Sequence, residues 1–241
     1  MLTIKNVSAI IDATELLTNI SLKINPGEIH AIMGPKKSGK SSLAHLITGH
    51  PSITQIDGSI VFNRKNLAKL DITDRAKLGI YTTFQGPPEI VGITNLNLAK
   101  LILKARKDPR SEQEIEKDYS LLVAMLELEP DHGTTEMEYE CISPSEFRKN
   151  ELLLMLLLNP KLIIVDEIDV DLSDNDLEVV GAVLSSYIDA HHSMIIITHS
   201  QKMLDMVVPT HVHIMVNGEI KETGKTNLYK RIVEDDYTQF S

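Results

Sequence analysis

Three short apolar runs along the chain have the length and continuity of buried strands. They occupy residues 28–33, 161–167 and 194–199. Helical spacing of apolar residues follows the first run over residues 42–49, and a second helical pattern covers residues from about 174 to 190. Because buried strands that alternate with helices form parallel sheets covered on both faces, this pattern predicts an α/β fold.

Strands of a second kind lie on either side of this pattern. Residues 2–7 and 20–24 alternate between apolar and polar side chains, and residues 58–62 form another short strand. Near the C-terminus, two strand-like runs within residues 211–221 are joined by Asn217-Gly218, a pair that favours a type I′ hairpin turn. The sequence therefore predicts an antiparallel β segment at the N-terminus and a hairpin late in the chain.

The middle of the chain has helical periodicity from about residue 93 to residue 158. We interpret the chain of 241 residues as a single domain. Its α/β core comprises residues 1–87 and 161–241, and a helical subdomain covers residues 88–160. We also expect a short helix that Asp74 caps and that ends at Leu78.

Composition excludes several classes of function. The formal net charge of −10 and the pI of about 5.4 are a poor fit to a nucleic-acid-binding protein, which needs a basic face. The single cysteine, Cys141, indicates a reducing compartment. The longest apolar run, Leu152–Leu158, is far shorter than the roughly 18 residues of a membrane span. We therefore expect a soluble protein of the cytoplasm, or of a plastid, with no direct membrane insertion.

The stretch Gly34-Pro35-Lys36-Lys37-Ser38-Gly39-Lys40-Ser41 fits G-x-x-x-x-G-K-[ST], the phosphate-binding P-loop. A predicted strand precedes it and a predicted helix follows it, which directs loop amides and the helix dipole toward phosphates. Lys40 would contact the β- and γ-phosphates, and the Ser41 hydroxyl would ligate Mg²⁺. The alternative is a glycine turn that only joins a strand to a helix; the spacing and both flanks argue against it. The candidate nucleotide-binding residues of this stretch are Gly34, Pro35, Lys36, Lys37, Ser38, Gly39, Lys40, Ser41 and Ser42.

Acidic residues end the apolar run at 161–167. Asp166 and Glu167 stand where a buried parallel strand reaches the sheet edge at which ligands bind. Asp166 would hold Mg²⁺ directly or through a water, and Glu167 would orient or deprotonate the attacking water. An acidic strand end that leads into a turn is the alternative, and the upstream P-loop favours the functional interpretation.

Two more polar residues end predicted strands. His199 closes the run at 194–199 and can hydrogen-bond a γ-phosphate or hold the water. Gln85 ends another predicted strand and can contact Mg²⁺ or the attacking water. The candidate catalytic residues are thus Lys40, Gln85, Glu167 and His199, and the candidate metal ligands are Ser41, Gln85 and Asp166.

These features occur in the order found in ABC-type ATPases. More narrowly, the chain resembles the SufC ATPases of the SUF iron–sulfur cluster assembly machinery over essentially its whole length. The segments that carry the resemblance are Ile29-His30-Ala31-Ile32-Met33-Gly34-Pro35, Phe84-Gln85, Pro88-Glu89-Ile90, Arg148-Lys149-Asn150-Glu151-Leu152 and Ile197-Thr198-His199-Ser200-Gln201.

The resemblance implies a P-loop NTPase fold of the ABC type, with a RecA-like core, an antiparallel β segment and a helical subdomain. It implies ATP and Mg²⁺ as cofactors. It also implies SufB- and SufD-type scaffold proteins as partners, and ATP-dependent homodimerisation of the ATPase subunit.

One loop departs from the family pattern. ABC ATPases contribute an L-S-G-G-Q-type loop (F-S-G-G-E in SufC) to the partner subunit's nucleotide, and the aligned stretch here is Ile142-Ser143-Pro144-Ser145-Glu146. Ser143 remains a candidate nucleotide-binding residue. Pro144 has no N–H to donate, and Ser145 adopts positive φ only at a cost. Losing one preorganised donor costs about 3 kcal/mol, or roughly a hundredfold in rate.

Smaller departures lie elsewhere. The family's S-G-L-D loop is here Val170-Asp171-Leu172-Ser173, Lys37 replaces a usual glycine, and residues 11–14 contain no aromatic residue that could stack on adenine. Three hypotheses therefore stay open. The chain is an ATPase of iron–sulfur assembly, a nucleotide-gated binding subunit with little hydrolysis, or the ATPase subunit of a membrane ABC transporter. Apart from Mg²⁺ at the nucleotide, we do not expect the chain itself to ligate a metal ion or an iron–sulfur cluster, because one cysteine cannot hold a cluster that usually needs four.

Overall fold

The computed structural model describes residues 1–84, 92–135, 143–170, 172–235 and 237. They form ten strands and eight helices. The strands are β1 (Leu2–Ile11), β2 (Thr14–Ile24), β3 (Ile29–Met33), β4 (Thr54–Phe62), β5 (Lys65–Asn66), β6 (Ile80–Thr82), β7 (Leu162–Asp166), β8 (Ser193–Ile197), β9 (His211–Val216) and β10 (Glu219–Gly224). The helices are α1 (Lys40–Thr48), α2 (Ile72–Lys77), α3 (Asn95–Ala105), α4 (Glu112–Met125), α5 (Pro144–Leu158), α6 (Asp174–Tyr187), α7 (Gln201–Val207) and α8 (Asn227–Asp235).

The larger sheet has six strands in the order β10-β9-β3-β8-β7-β6. All of its pairings are parallel except that of β9 with β10. Strands β3, β7 and β8 are buried along their whole length, which explains their continuous apolar runs. Asn217 and Gly218 have φ values of 49° and 78°, as the type I′ turn between β9 and β10 requires. The predicted α/β fold and the predicted hairpin are confirmed.

The smaller sheet is antiparallel, in the order β2-β1-β4-β5. Its strands are longer than the alternating stretches in the sequence. Register shifts between Ile4 and Val7 and between Val7 and Ala9 break the alternation within β1, so the sequence pattern predicted only part of that strand. Asn6 and Asn19 occupy the left-handed region there, with φ of 48° and 53°. Each irregularity changes which side chains face the core, so strict alternation holds only in fragments of each strand.

Gly58 in β4 supports a prediction about the stability of this sheet. Its φ is 77°, and a Cβ atom would lie 2.4 Å from the carbonyl oxygens of both Lys5 and Asn6. We expect Gly58→Ala to lower the free energy of unfolding by at least about 2 kcal/mol, and the melting temperature by about 4–8 °C. Gly92→Ala is the matched control, since Gly92 has φ of 78° but no atom of the described residues within 4 Å of its Cβ position. Equal melting temperatures for the two variants would contradict the steric argument.

The short helix α2 begins earlier than predicted. Asp71, not Asp74, is its N-cap, and the Asp71 side chain accepts a hydrogen bond from the Asp74 N–H. The prediction of Asp74 as the cap was wrong because Asp74 lies in the first turn, where its negative charge favours the positive end of the helix dipole.

The chain divides into two compact units. The first comprises residues 1–83, 161–169 and 181–241, and the second comprises residues 84–160 and 170–180. Both sheets belong to the first unit, and α3, α4 and α5 belong to the second. Helices suited to crossing a membrane, which takes about 20 apolar residues, do not occur in the part of the chain that the structure describes.

A buried polar network connects elements within the second unit. The Asn150 side-chain amide donates to Asn95 Oδ1 at 3.2 Å, and the Asn95 amide donates to the His132 carbonyl at 3.1 Å. His132 Nε2 lies 3.0 Å from Asn150 Oδ1. Because these hydrogen bonds pair buried polar groups, the network stabilises α3 and α5 against each other, although Nδ1 of His132 has no hydrogen-bond partner among the described residues.

Candidate nucleotide-binding site

The loop between β3 and α1 has the backbone geometry of an anion-binding turn. Gly34 follows β3 with φ of 157°, and a Cβ atom there would lie 1.9 Å from the Met215 carbonyl oxygen. Only glycine therefore fits at this position. Gly39, with φ of 101°, stands immediately before α1, and Lys37 adopts φ of 65°. A left-handed lysine costs about 1–2 kcal/mol, so the loop is held in a conformation that its sequence alone does not favour.

Backbone N–H groups at the start of α1 are available to an anion. Leu43 donates to the Gly39 carbonyl at 2.9 Å and makes the first helical hydrogen bond. The amides of Lys40, Ser41 and Ser42 precede this bond and so have no acceptor within the helix. Gly39 has no side chain that could cap them. These unpaired N–H groups and the positive end of the helix dipole together form a binding site for phosphate.

Lys40 lies inside this turn, with only 6% of its surface exposed. Its Nζ donates to the carbonyl oxygens of Gly34 and Pro35, each at 2.9 Å. Burial lowers the pKa of Lys40, while the negative charges of Glu167 and Asp166 oppose that shift. The ammonium group is thus positioned by two neutral acceptors that the oxygens of an anion can replace.

Asp166 and Glu167 are placed by the end of β7. The Asp166 N–H donates to the Thr83 hydroxyl at 2.9 Å, and Asp166 is 5% exposed. The Glu167 N–H donates to the Ile197 carbonyl at 2.9 Å, and its φ of 50° turns the chain away from the strand direction. Nearly half of the Glu167 side chain is exposed. One carboxylate is therefore buried at the sheet edge and the other is open to solvent.

His199 meets Glu167 at the same edge of the sheet. Its Nε2 lies 3.8 Å from Glu167 Oε1. Burial is the largest cause that lowers the pKa of His199, and the positive charge of Lys40 lowers it further, while Glu167 and Asp169 act in the opposite direction. The imidazole is therefore neutral at physiological pH and carries one N–H donor and one acceptor.

A cavity of about 440 Å³ lies over the loop. Its lining residues are Leu16, Lys36, Lys37, Ser38, Gly39, Lys40, Ser41, Ser42 and Glu167. Two further observations fit a magnesium–nucleotide complex. The Ser38 hydroxyl is buried without a hydrogen-bond partner among the residues the structure describes, and a phosphate oxygen would supply one. The Ser41 hydroxyl and the Asp166 carboxylate are oxygen donors of the kind that Mg²⁺ prefers.

The structure brings most of the predicted site residues together within the first unit. Residues 34–42, Asp166, Glu167 and His199 all belong to it. Ser143 belongs to the second unit, where it is the N-cap of α5 and accepts a hydrogen bond from the Glu146 N–H at 3.2 Å. The predictions that fall outside the described residues are those for Gln85, Cys141, Ile142 and Asp171.

Sequence reasoning missed two residues that support this edge. The Thr83 hydroxyl accepts from the Asp166 amide, and Asp169 accepts from the Thr198 hydroxyl at 2.8 Å. Burial raises the pKa of Asp169, and the Thr198 hydrogen bond opposes that shift. A polar residue at the end of a strand was the available signal for Thr83, whereas the contact of Asp169 depends on β7 and β8 being neighbours.

Comparisons with known proteins agree with this geometry. A family model described as ABC transporter matches residues 17–169. The chain is 38% identical over 237 residues to the "Probable ATP-dependent transporter ycf16" of Cyanophora paradoxa, which covers 96% of this chain and 91% of that protein. It is 34% identical to the "ABC transporter I family member 6, chloroplastic" of Arabidopsis thaliana, over 100% of this chain and 73% of that protein.

Solved structures share the fold. An ATP-binding cassette in a dimeric state after hydrolysis, bound to ADP and Pi, superposes with a TM-score of 0.80 at 22% identity, covering 93% of this chain and 98% of that chain. The fold is therefore that of an ABC ATPase cassette. Together with the family match and the phosphate-binding geometry, this similarity leads to one conclusion: the chain belongs to the ABC transporter family, as one of its ATP hydrolases.

Proposed function

We propose that the chain binds MgATP and hydrolyses it to drive conformational change in a SUF-type iron–sulfur cluster assembly scaffold. The observation that carries the ATPase part is the open anion site at α1 beside the Glu167–His199 pair. The scaffold part rests on the SufC-like segments. The first of them is residues 29–35 and the last is residues 197–201, and they include residues outside the shared ATPase motifs. Its partners would be SufB- and SufD-type proteins.

The proposal includes an organisation and a location. Residues 1–87 and 161–241 form the nucleotide-binding core, residues 88–160 form the helical subdomain, and two copies dimerise when ATP is bound. A dimeric cassette among the solved structures supports the last point. The compartment is the cytoplasm or a plastid, and the relative from Arabidopsis thaliana, which is named chloroplastic, supports the second of these.

Binding of ATP begins with a replacement of acceptors. Phosphate oxygens take the place of the Gly34 and Pro35 carbonyls as partners of the Lys40 ammonium, and the amides of residues 40–42 bind the same phosphates. Ser41, Asp166 and Gln85 would hold Mg²⁺, which would supply positive charge to offset the charge that develops on the phosphate oxygens.

Hydrolysis then depends on the orientation of a water molecule. Glu167 accepts a hydrogen bond from that water and takes its proton as the new O–P bond forms and the bond to ADP breaks. Neutral His199 donates its N–H to the γ-phosphate, which holds the group in line. The half-exposed Glu167 side chain later releases the proton to solvent.

A second function, nucleotide-gated binding with little hydrolysis, is favoured by the start of α5. Pro144 is the first residue of that helix, so the helix begins without an N–H at a position where the family pattern supplies glycine. Ser143 accepts from Glu146 and still has its own hydroxyl proton to donate. The partner subunit's γ-phosphate would thus meet one hydroxyl where the family pattern also offers amides.

Steady-state ATP hydrolysis with Mg²⁺, measured with and without a SufB-type scaffold, tests the proposal. Turnover that rises when the scaffold is added would support an assembly ATPase. ATP binding without turnover, whether the scaffold is present or absent, would favour the gated subunit. Co-purification with a membrane permease instead of a scaffold would favour a transporter subunit and overturn the assignment to iron–sulfur assembly.

Pro144→Gly tests the cause of slow turnover. The variant regains an amide donor at residue 144, and we expect ATP hydrolysis to rise by up to about a hundredfold at protein concentrations that allow dimers. Pro130→Gly, at an exposed position of the same unit, is the matched control. An unchanged rate in a folded Pro144→Gly variant would mean that the altered loop does not limit hydrolysis.

A further inference from the structure

A cluster of three histidines and one glutamate lies at the end of β3 opposite to the P-loop. His30 and His211 occupy paired positions on β3 and β9, with ring centroids 4.5 Å apart. Glu28, His30 and His211 each place one potential metal-ligand atom within 4.8 Å of the others. From these positions, we infer that Glu28, His30 and His211 form a binding site for a divalent transition-metal ion, separate from the nucleotide site.

The hydrogen bonds of His211 leave one ring nitrogen ready to act as a ligand. The Thr210 hydroxyl donates to the Ile29 carbonyl at 2.8 Å and accepts from the Ile29 N–H at 3.0 Å. The hydroxyl proton of Thr210 is therefore already donated, so Thr210 Oγ1, 3.1 Å from His211 Nδ1, accepts a hydrogen bond from that nitrogen. His211 consequently carries its proton on Nδ1, and Nε2 has a free lone pair. A metal-ligating histidine commonly has its second nitrogen anchored in this way.

His30 lies one strand away and, without a metal ion, carries its proton on the other ring nitrogen, because the Glu28 carboxylate only accepts hydrogen bonds. Its Nε2 lies 3.0 Å from Glu28 Oε2, and its Nδ1 lies 2.9 Å from His213 Nε2. His213 Nδ1 in turn lies 2.9 Å from the Thr223 hydroxyl. Once Nε2 of His30 loses this proton and Nδ1 is protonated on both rings, the hydrogen bonds run from His30 through His213 to Thr223, and Nε2 of His30 can bind a cation. A metal ion selects this direction, and each ring stays neutral with one proton.

Glu28 completes the ligand set as a carboxylate that is already held in place. Its Oε2 accepts from the Asn25 backbone N–H at 2.7 Å, and its Oε1 accepts from the Asn25 side-chain amide at 2.8 Å. Oε2 also accepts from His30 Nε2, and the lone pair used by that hydrogen bond becomes available when Nε2 loses its proton. Because Asn25 anchors the carboxylate from one side, Oε2 is held in an orientation that faces His30.

The ligand types indicate which ion binds, and the burial of the four side chains indicates which of them can move. His30 and His213 are 1% and 3% exposed, while Glu28 and His211 are half-buried at the rim, which leaves an entry path. Two imidazoles and one carboxylate suit Zn²⁺ and other late first-row divalent ions, whereas Mg²⁺ and Ca²⁺ prefer oxygen ligands. The rings of His30 and His211 stack with their centroids 4.5 Å apart, so binding of one ion by both requires the half-buried His211 side chain to shift. Such a link would join β9 to β3, the strand that leads into the P-loop.

The test is Zn²⁺ titration of the chelator-stripped, nucleotide-free chain, followed by calorimetry and X-ray absorption. We expect one zinc ion per chain with two imidazole nitrogens at about 2.0–2.1 Å. The melting temperature should rise by about 5 °C or more at a free zinc concentration about 100-fold above Kd. His211→Ala and Glu28→Gln should each weaken zinc binding by at least about 10- to 100-fold.

His191→Ala, at an exposed histidine outside the cluster, is the matched control and should leave zinc affinity unchanged. Circular dichroism checks that each variant is folded, and Glu28→Gln serves if His211→Ala is not. Zinc affinity that is equal in the cluster variants and the control, or an absorption spectrum with fewer than two imidazole ligands, would overturn the proposal.

Discussion

Replacing Lys40 with alanine will reduce ATP hydrolysis at least about a hundredfold and weaken ATP binding by about 10- to 100-fold. The rate effect follows because the ammonium is a preorganised donor to oxygens that gain charge during phosphoryl transfer. The binding effect follows because a charge-assisted hydrogen bond contributes about 1.5–3 kcal/mol. Steady-state hydrolysis and a fluorescent-nucleotide titration measure the two quantities separately.

The stability of the variant should change much less than its activity. Without nucleotide, the Gly34 and Pro35 carbonyls are the hydrogen-bond acceptors of Lys40 Nζ among the residues that the structure describes, and burial lowers the pKa of Lys40, so its charge is disfavoured in the folded state. We expect a melting temperature within about 4 °C of the original chain. Lys36→Ala, which removes an exposed lysine from the same cavity, is the matched control. Equal loss of activity in both variants would show that general positive charge, and not the placement of Lys40, matters.

The fold was predictable where a single local pattern in the sequence determines the structure. The buried strands β3, β7 and β8 are continuous apolar runs because helices cover both faces of a parallel sheet. The antiparallel sheet was only partly predictable, because Asn6 and Asn19 interrupt the alternation of β1 and β2. A bulge depends on the pairing partner, and a sequence pattern does not include that partner.

The candidate nucleotide site was predictable for a related reason. Residues 34–41 are contiguous, and their spacing contains the strand, turn and helix that bind phosphate. Asp166 and His199 were found because parallel strands bring their carboxyl ends to one sheet edge. Thr83 was missed because a hydroxyl at a strand end has no motif, although it accepts the Asp166 amide.

The histidine cluster depends on the order of the strands in the sheet, which the sequence pattern does not give. Glu28 and His30, and likewise His211 and His213, are two residues apart and thus share a strand face. That spacing was visible in the sequence. The contact between His30 and His213, however, joins residues separated by 183 positions and exists because β9 pairs with β3. The pairing of β9 with β3 therefore brings the two pairs of residues together into a cluster.

Glu167→Gln is expected to abolish most hydrolysis and to leave ATP binding intact. The substitution keeps the shape of a half-exposed side chain and the backbone bond to Ile197, so the fold should not change. It removes the group that takes a proton from water, which costs about 10²- to 10⁴-fold in rate. It also removes a negative charge near the phosphates, so ATP affinity should stay equal or increase. Single-turnover hydrolysis and equilibrium nucleotide binding test these expectations.

The combination of the two results identifies the role of Glu167. Glu129→Gln makes the same change of charge at an exposed position of the second unit and should alter neither quantity. A folded Glu167→Gln variant that hydrolyses ATP within about threefold of the original rate would assign proton transfer to another group, since general base catalysis contributes at least about 10²-fold. A parallel loss of ATP binding would instead make Glu167 a nucleotide-positioning residue. Only slow hydrolysis with retained binding fits a carboxylate that acts on the water.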